Sequence, residues 1–303
     1  MLLRAAFQVG LLLLLPPLLL GVVTRVKAIF AGRKGPPLLQ PYYDLAKLLR
    51  KGSVYSRVTT WVFRAGPVVA LGAVATAGLL LPVAGEPALV SFTGDFVLFA
   101  YLLALARFFT ALAALDTGSS FEGMGAAREV SFASMAEPAL FLCFVVLARA
   151  TGTLSLSGML GQGLPAAWGR SAPALLLAAI ALFVVTLAEN ARIPVDDPNT
   201  HLELTMIHEV MVLDHSGPDL AFILYGASMK LFLFGAIFVR LALGFSPGNV
   251  WAAEATFVAG LLAFAALVGV TESMMARLRL TRVPQMLVGA SVLSTFALVL
   301  LLR

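Results

Sequence analysis

The sequence predicts an all-α integral membrane protein, with eight transmembrane helices in a single membrane domain (residues 1–303) and one amphipathic helix lying in the interface. Three observations lead there. Of 303 residues, 60% are hydrophobic and 12% charged, against roughly 25% charged in ordinary soluble domains, and the mean hydropathy is +0.95. Eight segments, about 5–24, 60–83, 93–115, 130–150, 171–190, 219–243, 250–272 and 284–302, are apolar over the roughly 20 residues a helix needs to cross a bilayer. Lys and Arg crowd into some of the intervening loops and avoid others, the asymmetry that orients membrane helices.

The first span follows Arg4 and contains LLLLLPPLLL, the outline of a signal peptide. The apolar run nevertheless continues to about Val23 with no small-x-small cleavage site, so a retained span is expected. Pro16 and Pro17 interrupt it, and Gly66-Pro67 opens the second; membrane helices tolerate such breaks where neighbours satisfy the freed backbone groups. Between them, LLQPYYDLAKLLRK puts Leu38, Tyr42, Leu45, Leu48 and Leu49 on one helical face and Asp44, Lys47, Arg50 and Lys51 mostly on the other. That is the pattern of an interfacial helix, although apolar area plus basic residues also suffices for plain lipid affinity.

The loop after the first span carries Arg25, Lys27, Arg33, Lys34, Lys47, Arg50, Lys51 and Arg57, and the loop after the seventh adds Arg277, Arg279 and Arg282, whereas the loops after the second and sixth have none. The basic loops are therefore expected in the cytoplasm and both termini outside. The net charge of +5 follows from this orientation and gives no reason to expect a nucleic-acid partner. Cys143 is the sole cysteine, which excludes a disulfide framework or a Cys-built metal site within this chain.

Ionisable residues inside spans are few: Arg107, Glu137, Glu189, Lys230 and Glu272. Each costs at least about 2.5–3.5 kcal/mol at the bilayer centre and therefore faces the bundle interior or a water cavity. Glu137 lies eight residues past Glu129, about two turns deeper, and a desolvated carboxyl group is suited to carrying protons. The alternative for Glu137 is a structural ion pair, and Arg107 and Lys230 are the natural counter-charges of buried acids. Glu272 sits close enough to an interface to be solvated.

Carboxylates gather in AENARIPVDDPNTHLELTMIHEVMVLD, residues 188–214. Glu189 and Arg192 are three apart and expected to pair along the last turn of span five. Pro194 and Pro198 then forbid simple continuation of the helix. Thr200 and Glu203 have capping-box spacing, which is the local alternative for Glu203. His201, His208 and His215 recur every seven residues; that is roughly 10 Å along a helix, too far for one metal.

AENARIPVDDP resembles the E-x-x-R-x-P-x-D-x-P signature of subunit 1 of respiratory complex I, and GAAREVSFASMAEP resembles a second signature of that family through Arg128 and Glu137. GRKGPPLLQPYYDLAKLLRKG is similar to its first cytoplasmic loop (Arg33, Gly35, Pro36, Asp44, Lys47) and RLRLTRVPQM to its last (Arg277, Arg279, Gln285). Where quinone-reducing members continue E-x-E-S-E-L, this chain has Asn199-Thr200-His201-Leu202-Glu203-Leu204. PNTHLELTMIHE instead resembles the branch found in membrane-bound nickel–iron hydrogenases such as formate hydrogenlyase and hydrogenase-4.

The resemblance implies a membrane anchor and coupling subunit, not catalytic alone, in a prokaryotic cytoplasmic (inner) membrane. Glu137, Glu189, Arg192, Asp196, Glu203, Asp214, Arg128 and Glu129 would form a proton relay. Arg33, Asp44, Lys47, Arg277, Arg279, Arg282 and Gln285 would dock a soluble arm. The implied partners are hydrogenase large and small subunits, iron–sulfur proteins and antiporter-like membrane subunits alongside. Iron–sulfur clusters and the nickel–iron site would belong to those partners, with no cofactor in this chain and no metal site; a quinone-binding subunit of a respiratory NADH dehydrogenase is the weaker reading. A free-standing transporter would favour inverted repeats, and none stands out.

Overall fold

Two prolines decide the shape of the first span. Pro16 and Pro17 lack the N–H groups that would bond the Leu12 and Leu13 carbonyls, and the expected single span of residues 5–24 is instead two helices, α1 (Leu2–Leu14) and α2 (Pro16–Phe30), bent by 42°. The Tyr225 hydroxyl donates to the freed Leu13 carbonyl at 2.6 Å, and the Tyr42 hydroxyl donates to that of Leu14. Neighbouring elements thus repair the broken ladder, as a bilayer demands. The computed structural model describes residues 2–83, 86–161, 163–196, 206–244 and 249–302.

Tyr42 belongs to α3 (Gln40–Leu49), the amphipathic helix, which has no fully buried residue. It approaches α2 closely just ahead of its first turn: a Cβ on Gly21 would fall 2.0 Å from the Leu38 carbonyl oxygen, so only glycine fits there. The next helices are α4 (Trp61–Leu79) and α5 (Asp95–Asp116). Asp116 receives the backbone N–H groups of Thr60 at 2.7 Å and Phe63 at 3.2 Å, satisfying donors that the first turn of α4 leaves open. Gly66 faces Ala113 and the Phe109 carbonyl of α5, the small-residue contact by which membrane helices come close.

The helix α6 (Ser120–Thr151) begins well before the apolar segment at 130–150 and so carries Arg128, Glu129 and Glu137 on one continuous element. Its 32 residues make a rod about 48 Å long at 1.5 Å per residue, longer than the roughly 30 Å hydrocarbon core. After the single turn α7 (Leu156–Met159), α8 (Leu164–Glu189) contains a break at Ser171 (φ −140°, ψ 34°) next to Pro173. The remaining helices are α9 (Gly217–Leu243), α10 (Val250–Met274) and α11 (Val283–Leu301), with short 3-10 turns at Glu209–Val212 and Leu280–Arg282.

Among the described residues there is no strand. Within those residues seven helices are long and apolar enough to cross a membrane, and the bent α1–α2 pair makes up to eight spans. The chain is an all-α, multi-pass membrane protein. α9 lies at the centre, packed by α2, α4, α8 and α10, with Phe232, Phe234 and Ile237 fully buried. α8 packs against it, α6 against α8 and α5 against α6, and Arg107, Glu129, Glu137, Glu189 and Lys230 meet between these four helices.

Candidate functional site

Arg107, near the middle of α5, is the hub. Its Nη1 lies 2.6 Å from Glu137 Oε1, its Nη2 lies 2.6 and 2.7 Å from the two oxygens of Glu189, and its Nε lies 3.3 Å from Glu129 Oε1. Lys230 of α9 reaches Glu189 Oε2 at 2.8 Å, and His208 Nδ1 stands 3.3 Å from Glu129 Oε2. Four helices and one loop therefore deliver six ionisable side chains to one cluster. Three carboxylates face two permanent cations, and the imidazole is the remaining member.

The local folding explains who pairs with whom. α8 ends at Glu189, and Ala191 adopts a left-handed conformation (φ 48°), which carries Arg192 off the helical face. The expected Glu189–Arg192 pair is accordingly absent. Glu189 turns to Arg107 and Lys230, while Arg192 Nη1 lies 3.4 Å from Glu272 Oε1, which Lys27 also meets at 2.8 Å through the other oxygen. Glu272 is not solvated as its position near an interface suggested, because its side chain has no exposed surface. It anchors a second cluster joining α2, α10 and the turn after α8.

Asp196 organises the loop between α8 and α9. Its Oδ2 accepts the backbone N–H groups of Ile207 (3.1 Å) and His208 (3.2 Å), and its Oδ1 lies 2.8 Å from Arg277 Nη2. The Leu278 N–H donates to the Pro194 carbonyl at 2.9 Å, and Arg128 Nη1 donates to the Met206 carbonyl at 2.9 Å. Arg128 holds this loop and not the carboxylate of Glu137. Gly125 of α6 lies under the loop, where a Cβ would sit 2.3 Å from Val210 Cγ1.

The other expected residues are spread wider. Asp214 is exposed, and its N–H donates to the buried Glu122 carboxylate at 3.0 Å. His215 stacks on Phe63 with ring centroids 4.0 Å apart; burial holds its imidazole below the ordinary histidine pKa, against the opposing pull of Asp219 and Asp214. Arg33, Asp44, Lys47, Arg279, Arg282 and Gln285 are exposed, whereas Arg277 is tied inward by Asp196. Glu203 and His201 lie outside the described residues. His208 and Lys27 were not among the expected site residues. The sequence shows His208 inside the acidic stretch, but its partner Glu129 is 79 positions away and only the fold brings them together.

Of the spaces that border the cluster, two are the larger. A cavity of about 140 Å³ runs between α4, α5, α9 and the Glu209–Val212 turn, lined by Leu71, Val74 and Phe222 and, at its polar end, by Arg107, Glu129, His208 and Lys230. On the other side a groove of about 380 Å³ lies between α5 and α6, with Phe108, Leu115, Val130 and Glu137 along it. The Glu137 side chain is 42% exposed there.

Residues 3–303 match the family model described as NADH dehydrogenase. Formate hydrogenlyase subunit 4 of Escherichia coli (strain K12) is 33% identical over 281 residues, covering 89% of this chain and 88% of that protein. Hydrogenase-4 component C of the same organism is also 33% identical, over 80% of this chain and 75% of its own length. A chain in the structure of the membrane-bound sulfane sulfur reductase, an archaeal respiratory membrane complex, superposes with a TM-score of 0.83 over 99% of both chains at 21% identity, a likeness of fold.

Proposed function

The chain belongs to the NADH dehydrogenase family, and from that premise we propose that it is the membrane anchor and coupling subunit of a complex-I-related, membrane-bound hydrogenase. In this reading it docks a soluble iron–sulfur and hydrogenase arm and links redox chemistry there to proton or sodium translocation. The observation that carries the proposal is the Arg107 cluster. Contacts of 3.3 Å or less link His208 of the Asp196 loop, through Glu129 and Arg107, to the Glu137 carboxylate on the flank of the bundle.

The ion-pair geometry supports a division of roles. An arginine stays protonated and cannot hand on a proton, so Arg107 holds Glu129, Glu137 and Glu189 within reach of one another while protons move on the carboxylates. Glu189 is matched by two cations, and Glu137, with one, faces the α5–α6 groove. A carboxylate half open to the side of a membrane bundle is costly against lipid, which supports an antiporter-like neighbour covering that groove. The exposed Arg33, Lys47, Arg279, Arg282 and Gln285 offer the docking face for the arm, on the cytoplasmic side of a prokaryotic inner membrane with both termini outside. Iron–sulfur clusters and the nickel–iron site reside in the arm.

The test is Glu137→Gln in the whole complex, which keeps shape and hydrogen bonding while removing the titrating group. Coupled turnover should fall severely relative to dye-linked hydrogen oxidation by the arm, which reports assembly. Wild-type coupled turnover in the assembled variant refutes the relay.

A further inference from the structure

His208 is held in place more firmly than a loop histidine needs to be. Its backbone N–H and that of Ile207 are both received by Asp196, whose second oxygen is fixed by Arg277. The preceding Met206 carbonyl is bonded by Arg128, and the loop lies directly on α6 at Gly125. The result is an imidazole whose buried Nδ1 makes no hydrogen bond but stands 3.3 Å from Glu129 Oε2, so that a small rotation of the ring completes one; His208 also borders the 140 Å³ cavity, shared with Arg107 from α5, Glu129 from α6, Glu209 beside it and Lys230 from α9. A polar-ended cavity of that size has room for several water molecules.

Charge balance points to the same residue. Of the three carboxylates on Arg107, Glu129 has the longest contact, 3.3 Å against 2.6 Å for Glu137 and Glu189. Lys230 serves Glu189, so Glu129 is the carboxylate with the least cationic compensation, and one proton shared between Glu129 and His208 neutralises the cluster. Histidine is the side chain whose charge ordinarily changes between about pH 5 and 8.

We infer that His208 is the proton-delivery residue of the cluster, passing protons from cavity water to Glu129. This rests on the coupling function proposed above. A hydronium ion in the cavity gives its proton to Nε2: an N–H bond forms there as an O–H bond breaks, leaving water. The Nδ1–H bond breaks as an O–H bond forms on Glu129, so the carboxylate becomes a neutral acid, the imidazole is left as its Nε2–H tautomer, and no electrons are exchanged. Exchange with cavity water returns the tautomer. Asp196 and Arg277 are positioning residues, tying this imidazole to the loop that bears the exposed Arg279 and Arg282.

The experiment uses the intact membrane complex carrying His208→Gln or His208→Ala, with coupled turnover normalised to dye-linked hydrogen oxidation. His208→Gln should lose at least about tenfold in coupled turnover, a floor set below the roughly 10²–10⁴-fold that a positioned acid–base group contributes. Imidazole added to His208→Ala should restore turnover, and with substituted imidazoles the pH profile of rescue should follow the pKa of the additive, which a merely structural role does not produce. Wild-type turnover in assembled His208→Gln, or no rescue of assembled His208→Ala, overturns the inference. Glu137→Gln measured in parallel separates the two claims. If it is uncoupled while His208→Gln is not, the coupling function stands and the role of His208 falls; if Glu137→Gln also turns over normally, both fall.

Discussion

Replacing Arg107 with leucine removes one guanidinium and changes the surroundings of three carboxylates at once. Glu189 keeps Lys230 at 2.8 Å, Glu137 is left alone but 42% exposed, and Glu129, at 9% exposure, loses its one permanent cation. Breaking a buried ion pair from one side costs about 3–5 kcal/mol, because the remaining charge is stranded. Arg107→Leu should therefore lower the stability of the purified complex by about that amount, read as unfolding in a denaturing-detergent titration. The structure also ranks the suppressors. Glu129→Gln removes the most deeply stranded charge and should recover most of the loss, Glu137→Gln less, and Glu189→Gln least, since it frees Lys230. Arg107→Lys should fall between, keeping the charge but not the fork that engages three partners. Additive effects in the Arg107–Glu129 double-mutant cycle, or Glu189→Gln as the best suppressor, refute this reading of the hub.

The remaining expectations concern the periphery. The pKa of His215 is lowered by burial, so the folded state resists a proton that the unfolded chain accepts. Stability from this residue is complete above the ordinary histidine pKa near 6.5 and is lost as pH falls below it. His215→Phe, which keeps the stack on Phe63, should flatten the stability profile between about pH 6.5 and 5; an unchanged profile counts against it. On the docking face, Arg33→Ala combined with Arg279→Ala should release the soluble arm at moderate salt, because exposed ion pairs are screened. Co-purification of the arm that does not change across a salt series speaks against that surface.

How much of this was legible in the sequence depended on whether the signal was local. Apolar length and loop charge are local, and the spans were expected from them. The bend at Pro16-Pro17 was visible as an interruption, but its repair by Tyr42 and Tyr225 was not, since neither tyrosine is near it in the chain. The same limit separates the parts of the site. Arg107 and Lys230 could be expected as counter-charges because hydrocarbon leaves a buried acid little alternative. Which acid each would meet depends on how α5, α6, α8 and α9 are rotated against one another. The Glu189–Arg192 expectation failed for a reason of one residue: the i,i+3 rule holds only while the helix continues, and α8 ends at Glu189.

That early ending has a consequence for the mechanism. Had α8 run on through Arg192, Glu189 would have a local partner and less need of Arg107. Released from its helix, Arg192 instead joins Lys27 on Glu272, and Glu189 closes onto the α5 and α9 cations. The left-handed turn at Ala191 thus divides the acids into two groups, one tied to the α2–α10 side and one to the α5–α6 flank. Both begin at the loop that Asp196 and Arg277 hold together, so if the proposed arm docks there, a displacement of that loop would reach both clusters. Within the Arg107 cluster it would act first on His208, whose backbone N–H Asp196 receives directly.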